Sequence, residues 1–166
     1  MKFEADIRWL KDFLIKNNYQ GIAEQIKYGW CWKELGELSK NVPQEVLDLV
    51  AEEIIKSGDG EACYGYCRFI EDRDDVREAL IKLGDGEVCY WYCCFVEDRD
   101  DVREVLIKSG DGWLCYLYCR CVKDRDDVRE SMIKSGDGMA CYCYYRDVEN
   151  RADVRKVTAR QREALL

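Results

Sequence analysis

Between Ile55 and about Thr158 the chain writes one phrase four times. The copies begin at Ile55, Ile81, Ile107 and Ile133, a constant step of 26 residues. The second reads IKLGDGEVCYWYCCFVEDRDDVREVL and the third IKSGDGWLCYLYCRCVKDRDDVRESM. A fixed period of this order marks a stack of supersecondary units, each burying its apolar face against its neighbours. The expectation is an all-α fold: an α-solenoid of 26-residue two-helix repeats with N- and C-terminal capping helices. Residues 1–54 would form capping helices and a degenerate repeat, 55–158 the four tandem repeats, and 159–166 an extension of the C-terminal capping helix, all within one continuous domain.

The punctuation inside one copy is explicit. Gly58 closes a helix as the residue beyond its last turn, Asp59 is placed to N-cap the next, and that helix runs from Gly60 to about Ile70. The EDRDD stretch, Glu71 to Asp75, then supplies acids that complement the positive end of a second helix closed by Gly84. Two short helices joined by tight turns must lie roughly antiparallel. At 100° per residue, Cys63, Tyr66, Cys67 and Ile70 share the core side of the first helix, while Glu61, Gly65 and Arg68 face away and Tyr64 sits at the boundary. The core set recurs as Cys89, Tyr92, Cys93, Val96, then Cys115, Tyr118, Cys119, Val122, then Cys141, Tyr144, Tyr145, Val148. Val76, Ala79 and Leu80 form the matching stripe of the second helix, repeated as Val102, Val105 and Leu106.

The ends are irregular, as terminal repeats are. Phe3, Ile7, Leu10, Phe13 and Leu14, with Trp9 beside them, make the stripe of a first helix that stops at Asn17-Asn18. Segments around Gly21–Lys27 and Trp30–Leu38 read as degenerate repeat helices, with Cys31 between Trp30 and Trp32. A helix starting near Pro43, with Asn41 as its N-cap, continues to Ser57 and should exceed its later equivalents by one turn if Val46 matches Val76. In the last copy Ala152 replaces the Asp at Asp126, and the helix continues without a closing Gly into a basic tail carrying Ala159, Leu165 and Leu166.

Composition narrows the function classes. With 26 basic against 34 acidic residues, a net charge of −8, the chain lacks the basic surface that wrapping nucleic acid or binding an anionic membrane requires. No apolar run is long enough to span a bilayer, and charges interrupt the N-terminal stretch, so a cytoplasmic protein is expected. The 11 cysteines are odd in number and follow the helical repeat, which suits reduced thiols packed as small hydrophobes rather than a disulfide framework.

Tandem pairs of short helices, from about Trp30 to the C-terminus, resemble an α-solenoid of the HEAT or tetratricopeptide type. The resemblance is architectural: the period is shorter, and GDGxxCYxYC lacks the Trp, Gly and helix-breaking Pro of the tetratricopeptide pattern. The phrase is also similar to short Tyr- and Cys-bearing helical repeats in proteins of phages and other mobile elements. The solenoid resemblance implies recognition of a protein along an extended face.

That face is legible in the copies themselves, where the framework is constant and the outward positions vary. They run Glu61, Glu87, Trp113, Met139; Gly65, Trp91, Leu117, Cys143; and Arg68, Cys94, Arg120, Arg146. Apolar anchors beside Arg match the composition of interface cores, so Trp91, Trp113, Leu117 and Met139, rimmed by Arg68, Arg120 and Arg146, are the candidate partner-binding residues. The alternative is packing against terminal helices or a second copy. Tyr64, Tyr90, Tyr116 and Tyr142 recur as an edge ladder, with Arg68, Arg120 and Arg146 one turn on, able to lie over three of the rings. The ladder is either an aromatic binding strip or edge packing with hydroxyls in water.

The pairs Cys63/Cys67 and Cys115/Cys119 are spaced i, i+4, yet no His is present and CxxxC lacks the tight knuckle of a zinc ligand pair, so no metal or cofactor is expected. The acids Asp74, Asp75, Asp100, Asp101, Asp126 and Asp127 could mimic phosphates or hold calcium, but a helix N-terminus and an Arg in each turn already account for them as a solvated capping strip. Periodic residues with no His base and no phosphate loop do not suggest an enzyme. The reading is a non-enzymatic protein-binding scaffold whose negative field favours a basic partner. Its alternatives are an acidic decoy blocking a nucleic-acid-binding protein, of the anti-defence type, and a self-assembling or metal-binding Cys-rich repeat protein.

Overall fold

The computed structural model describes residues 7–24, 31–149 and 151–157. Phe3, Trp30 and the basic tail from Thr158 onward lie outside them, as do the side chains of Ile7, Trp9, Leu10 and Cys31. The described residues contain helices and no strand, and the chain divides into two compact units, residues 1–83 and 84–166. Among the described residues no helix is long and apolar enough to cross a membrane.

The first unit holds α1 (Ile7–Lys16), α2 (Gln20–Ala23), α3 (Cys31–Leu38), a 3-10 turn (Ser39–Asn41), α4 (Gln44–Ser57), α5 (Gly60–Phe69) and α6 (Asp74–Leu83). Helix α1 ends where the sequence breaks: the Asn17 amide donates to the Phe13 carbonyl at 2.8 Å, and Asn18 takes a left-handed φ of 67°, which Asn tolerates. Asn41 belongs to the 3-10 turn and not to the cap of α4. Pro43 occupies that N-cap, extended at φ −56°, ψ 141°, with no side-chain hydrogen bond. Helix α4 has 14 residues against 10 in α6, the extra turn that the match of Val46 to Val76 required. Helix α3 packs on α5, and α4 on α6, so α3 and α4 are the degenerate repeat.

The second unit holds α7 (Gly86–Phe95), α8 (Asp100–Ser109), α9 (Gly112–Cys121), α10 (Asp126–Ser135), α11 (Gly138–Asp147) and a last helix, α12, over residues 152–157. Each first helix packs on its own second helix, as α7 on α8 and α9 on α10. Helix α9 also touches α7 and α11, and α10 touches α8. Repeated helix pairs stacked in sequence make this an all-α repeat solenoid.

The turns follow from three residues. Gly110 leaves α8 at φ 69°, a conformation that costs glycine nothing. The Ser109 hydroxyl donates to the Leu106 carbonyl at 2.7 Å and accepts from the Asp111 amide at 3.3 Å. Asp111 then accepts the Leu114 amide at 3.0 Å, capping α9. The same device appears at Ser57-Gly58-Asp59 and Ser135-Gly136-Asp137.

The core is built from the framework positions, with a shift. Cys63, Tyr66 and Cys67 and their counterparts up to Cys119 are buried, as are Val76, Leu80, Val102, Leu106, Val128 and Met132. Ile70, Val96, Val122 and Val148, expected in the core, are half-buried, because each is the residue on which its helix ends. Tyr145, Ala79 and Val105 are also half-buried. Ala62, Val88 and Ala140, one position before the first Cys, are buried instead.

Candidate protein-docking face

The outward positions of α5, α7, α9 and α11 do not behave alike. The first is exposed throughout, with Glu61 and Glu87 in water, Trp113 42% exposed and Met139 64% exposed. The last is exposed as Arg68, Arg120 and Arg146 and half-buried as Cys94. The middle position corrects the sequence reading: Gly65 and Cys143 are buried, and Trp91 and Leu117 are half-buried. A first helix that packs on its second helix also meets its neighbours in the row, so its buried arc is wider than one core stripe. At Gly65 the approach is so close that a Cβ would lie 2.6 Å from Trp32 Cδ1.

The tyrosine ladder is likewise uneven. Tyr64 and Tyr90 are half-buried and Tyr142 is 40% exposed, but Tyr116 is 1% exposed, and its hydroxyl is not in water. That hydroxyl donates to Asp147 Oδ2 at 2.7 Å and accepts from Arg120 at 3.1 Å. Arg68 and Arg146 lie over the Tyr64 and Tyr142 rings, at 5.8 and 6.0 Å from the centroids, and Arg68 also donates to the Tyr64 hydroxyl, as Arg120 does to that of Tyr116. The Trp113 ring rests on Tyr116 with centroids 5.1 Å apart and planes tilted by 51°. Arg146 chelates Asp147 at 2.5 and 2.8 Å, and this pair, with the Tyr116 hydroxyl, holds the Asp147 carboxyl far below the usual carboxylate range. The exposed indole therefore stands on a base fixed by two helices, which reduces the ordering cost of using it as an anchor.

The opposite chemistry occupies the EDRDD edge, where sequence reasoning missed Arg77, Arg103 and Arg129. Their side chains are only 5–7% exposed. Arg103 donates to Asp98 at 3.2 Å, Asp100 at 2.7 Å and Asp127 at 3.2 Å. Arg129 pairs with Asp124 at 3.0 Å and also with Asp126. Asp98 further accepts the Tyr118 hydroxyl at 2.6 Å and two N–H groups of Arg125 at 3.1 and 2.7 Å. Burial pushes the Asp98 carboxyl upward, but Tyr118 and Arg125 outweigh it and hold it below its ordinary value. Asp100 and Asp126 remain 86% exposed, as a solvated strip should be. Asp98 and Asp124 instead tie repeats together. The available signal was an Arg that never varied in DVRE, directly after a core Val.

Ten described cysteines are free thiols. Burial pushes Cys63, Cys67, Cys89, Cys93 and Cys119 up to about 12, which keeps them protonated at neutral pH. Among the described residues no three His, Cys, Asp or Glu side chains gather as a metal site. Comparison with protein-family models, curated proteins and solved structures finds no match to the chain.

Proposed function

We propose that this chain is a non-enzymatic repeat scaffold that docks a protein partner on the outer face of α9 and α11. Trp113, Met139 and Tyr142 are the anchors, Leu117 lies half-buried among them, and Arg120 and Arg146 form the rim. The observation that carries this reading is Trp113, exposed yet seated on a locked tyrosine, because rigid aromatic anchors with Arg neighbours supply most interface energy. Trp91 and Tyr90 in the same unit, and Tyr64 and Arg68 in the other, hold equivalent register positions. Half-burial makes the first three lesser contributors. The HEAT- or tetratricopeptide-like arrangement supports protein recognition, and the net charge of −8 would speed the approach of a basic partner.

The acidic-decoy alternative is weaker, since several carboxylates of the edge are already counter-ions of Arg103, Arg125 and Arg129. The metal-binding alternative would have to ionise thiols that burial holds protonated. Affinity capture under reducing conditions, with wild type beside Trp113→Ala/Met139→Ala of unchanged helicity, tests the proposal. A captured protein should bind the double variant at least ~30-fold more weakly, the loss of one hot spot of about 2 kcal/mol. Equal binding by both, lost on raising salt, would instead favour the decoy.

A further inference from the structure

Within the repeats Cys94, Cys121 and Cys143 depart from the framework positions, and of these Cys143 is buried while Cys94 and Cys121 are not. Cys94 stands where the other copies have Arg68, Arg120 and Arg146, and Cys121 stands where they have Phe69, Phe95 and Asp147. Repeat register shows what these positions do. From Tyr116, the residues at +4 and +31 are Arg120 and Asp147, and both reach its hydroxyl, at 3.1 and 2.7 Å. From Tyr90, the residues at +4 and +31 are Cys94 and Cys121. The helix ends superpose in conformation, with Val96 at φ −114°, ψ −76° and Val122 at φ −105°, ψ −73°. The same register brings Cys94 and Cys121 to the Tyr90 side chain, on helices α7 and α9 that pack together, and both thiols act on its hydroxyl. One node holds an ion pair across a phenol, and the other holds two thiols across a phenol.

We propose that Cys94 and Cys121 are an oxidation site, forming a reversible disulfide between α7 and α9 by exchange with a small-molecule disulfide. Cys121 is exposed and Cys94 half-buried, which sets the order of events. The Cys121 thiolate attacks the small disulfide, forming a mixed disulfide and releasing one thiolate, which takes up a proton. The Cys94 thiolate then attacks the Cys121 sulfur and expels the second thiol. Two protein thiols are oxidised, one small disulfide is reduced to two thiols, and the protons pass to the leaving sulfurs. Burial pushes the Cys94 thiol up, while the Tyr90 hydroxyl, donating to the sulfur, pulls it back and assists the second attack. Among the described residues the other eight thiols are buried and lack this access. The bridge would close a loop between residues 94 and 121 and stabilise the unit by restricting its unfolded chain.

The test uses the whole reduced chain, freed of reductant and incubated with excess oxidised glutathione. The expected product has lost two hydrogens, carries no glutathione, and shows the tryptic peptides Leu83–Arg99 and Cys121–Lys123 joined. Its Tm should rise by several degrees and return with reductant. Cys94→Ser should instead keep glutathione on Cys121 without a crosslink, which distinguishes Cys94 from Cys89 and Cys93 in the same peptide. A persistent glutathione adduct on wild type, a dimer joined through Cys121, a crosslink surviving in Cys94→Ser, or no reaction would each overturn the proposal.

Discussion

Tyr66 and Tyr118 occupy the same place in the first and third repeats, both fully buried, and their hydroxyls are satisfied by different means. Tyr66 donates to the Leu47 carbonyl at 3.2 Å, a group that already belongs to helix α4, while Arg73, whose charge also acts on that hydroxyl, pairs with Asp48. Tyr118 donates at 2.6 Å to Asp98, which also serves Arg125 and Arg103. Two repeats before Asp98 the register falls on Val46, buried inside α4. The degenerate repeat has no acidic turn to offer, so backbone and an exposed acid share what one partly buried carboxylate does later. Regular repeats concentrate their coupling in a single residue, and the terminal one disperses it.

Replacing that residue should break the contrast most visibly. Asp98→Ala strands a buried hydroxyl and takes a counter-ion from Arg103 and Arg125, and should cost about 3 kcal/mol in urea unfolding. The acid limb belongs to the same carboxyl. Because its folded value is depressed, its stabilisation is complete above the unfolded value of about 3.9 and is lost as pH falls through the folded one. The advantage of wild type over Asp98→Asn should thus shrink below about pH 4, and an advantage constant with pH would refute the assignment. Tyr118→Phe, which removes a hydrogen bond to a charged group, should cost about 2 kcal/mol, against about 1 kcal/mol for Tyr66→Phe, where the acceptor is neutral. Asp48→Ala should fall within about 1 kcal/mol, since Asp48 is 47% exposed and its pair with Arg73 is largely solvated. Equal costs for the two tyrosine variants would remove the distinction between the repeats.

Much of this architecture was legible because it is local. The Gly-Asp turns, the ten-residue helices and the longer α4 all follow from residues within a few positions of each other. The candidate face was legible only in part. Trp113, Met139 and the Arg rim are exposed as the repeat comparison suggested. Gly65, Cys143 and Tyr116 are not, because a helix in a row has neighbours on both sides and the 100° projection allowed for one. Asp98 was not told apart from the solvated acids of its turn and Arg103 was given no role, since nothing in EDRDDVRE separates the acid that caps from the acid that couples.

The sequence by itself determined the helix pairs, their turns and their stacking, since period, capping and apolar spacing act over a single repeat. Tertiary structure alone decided which variable positions stay in water, which Asp becomes a partly buried counter-ion and which two cysteines meet at one phenol. Those outcomes depend on residues 20 to 31 positions apart, brought together only when one repeat is laid against the next.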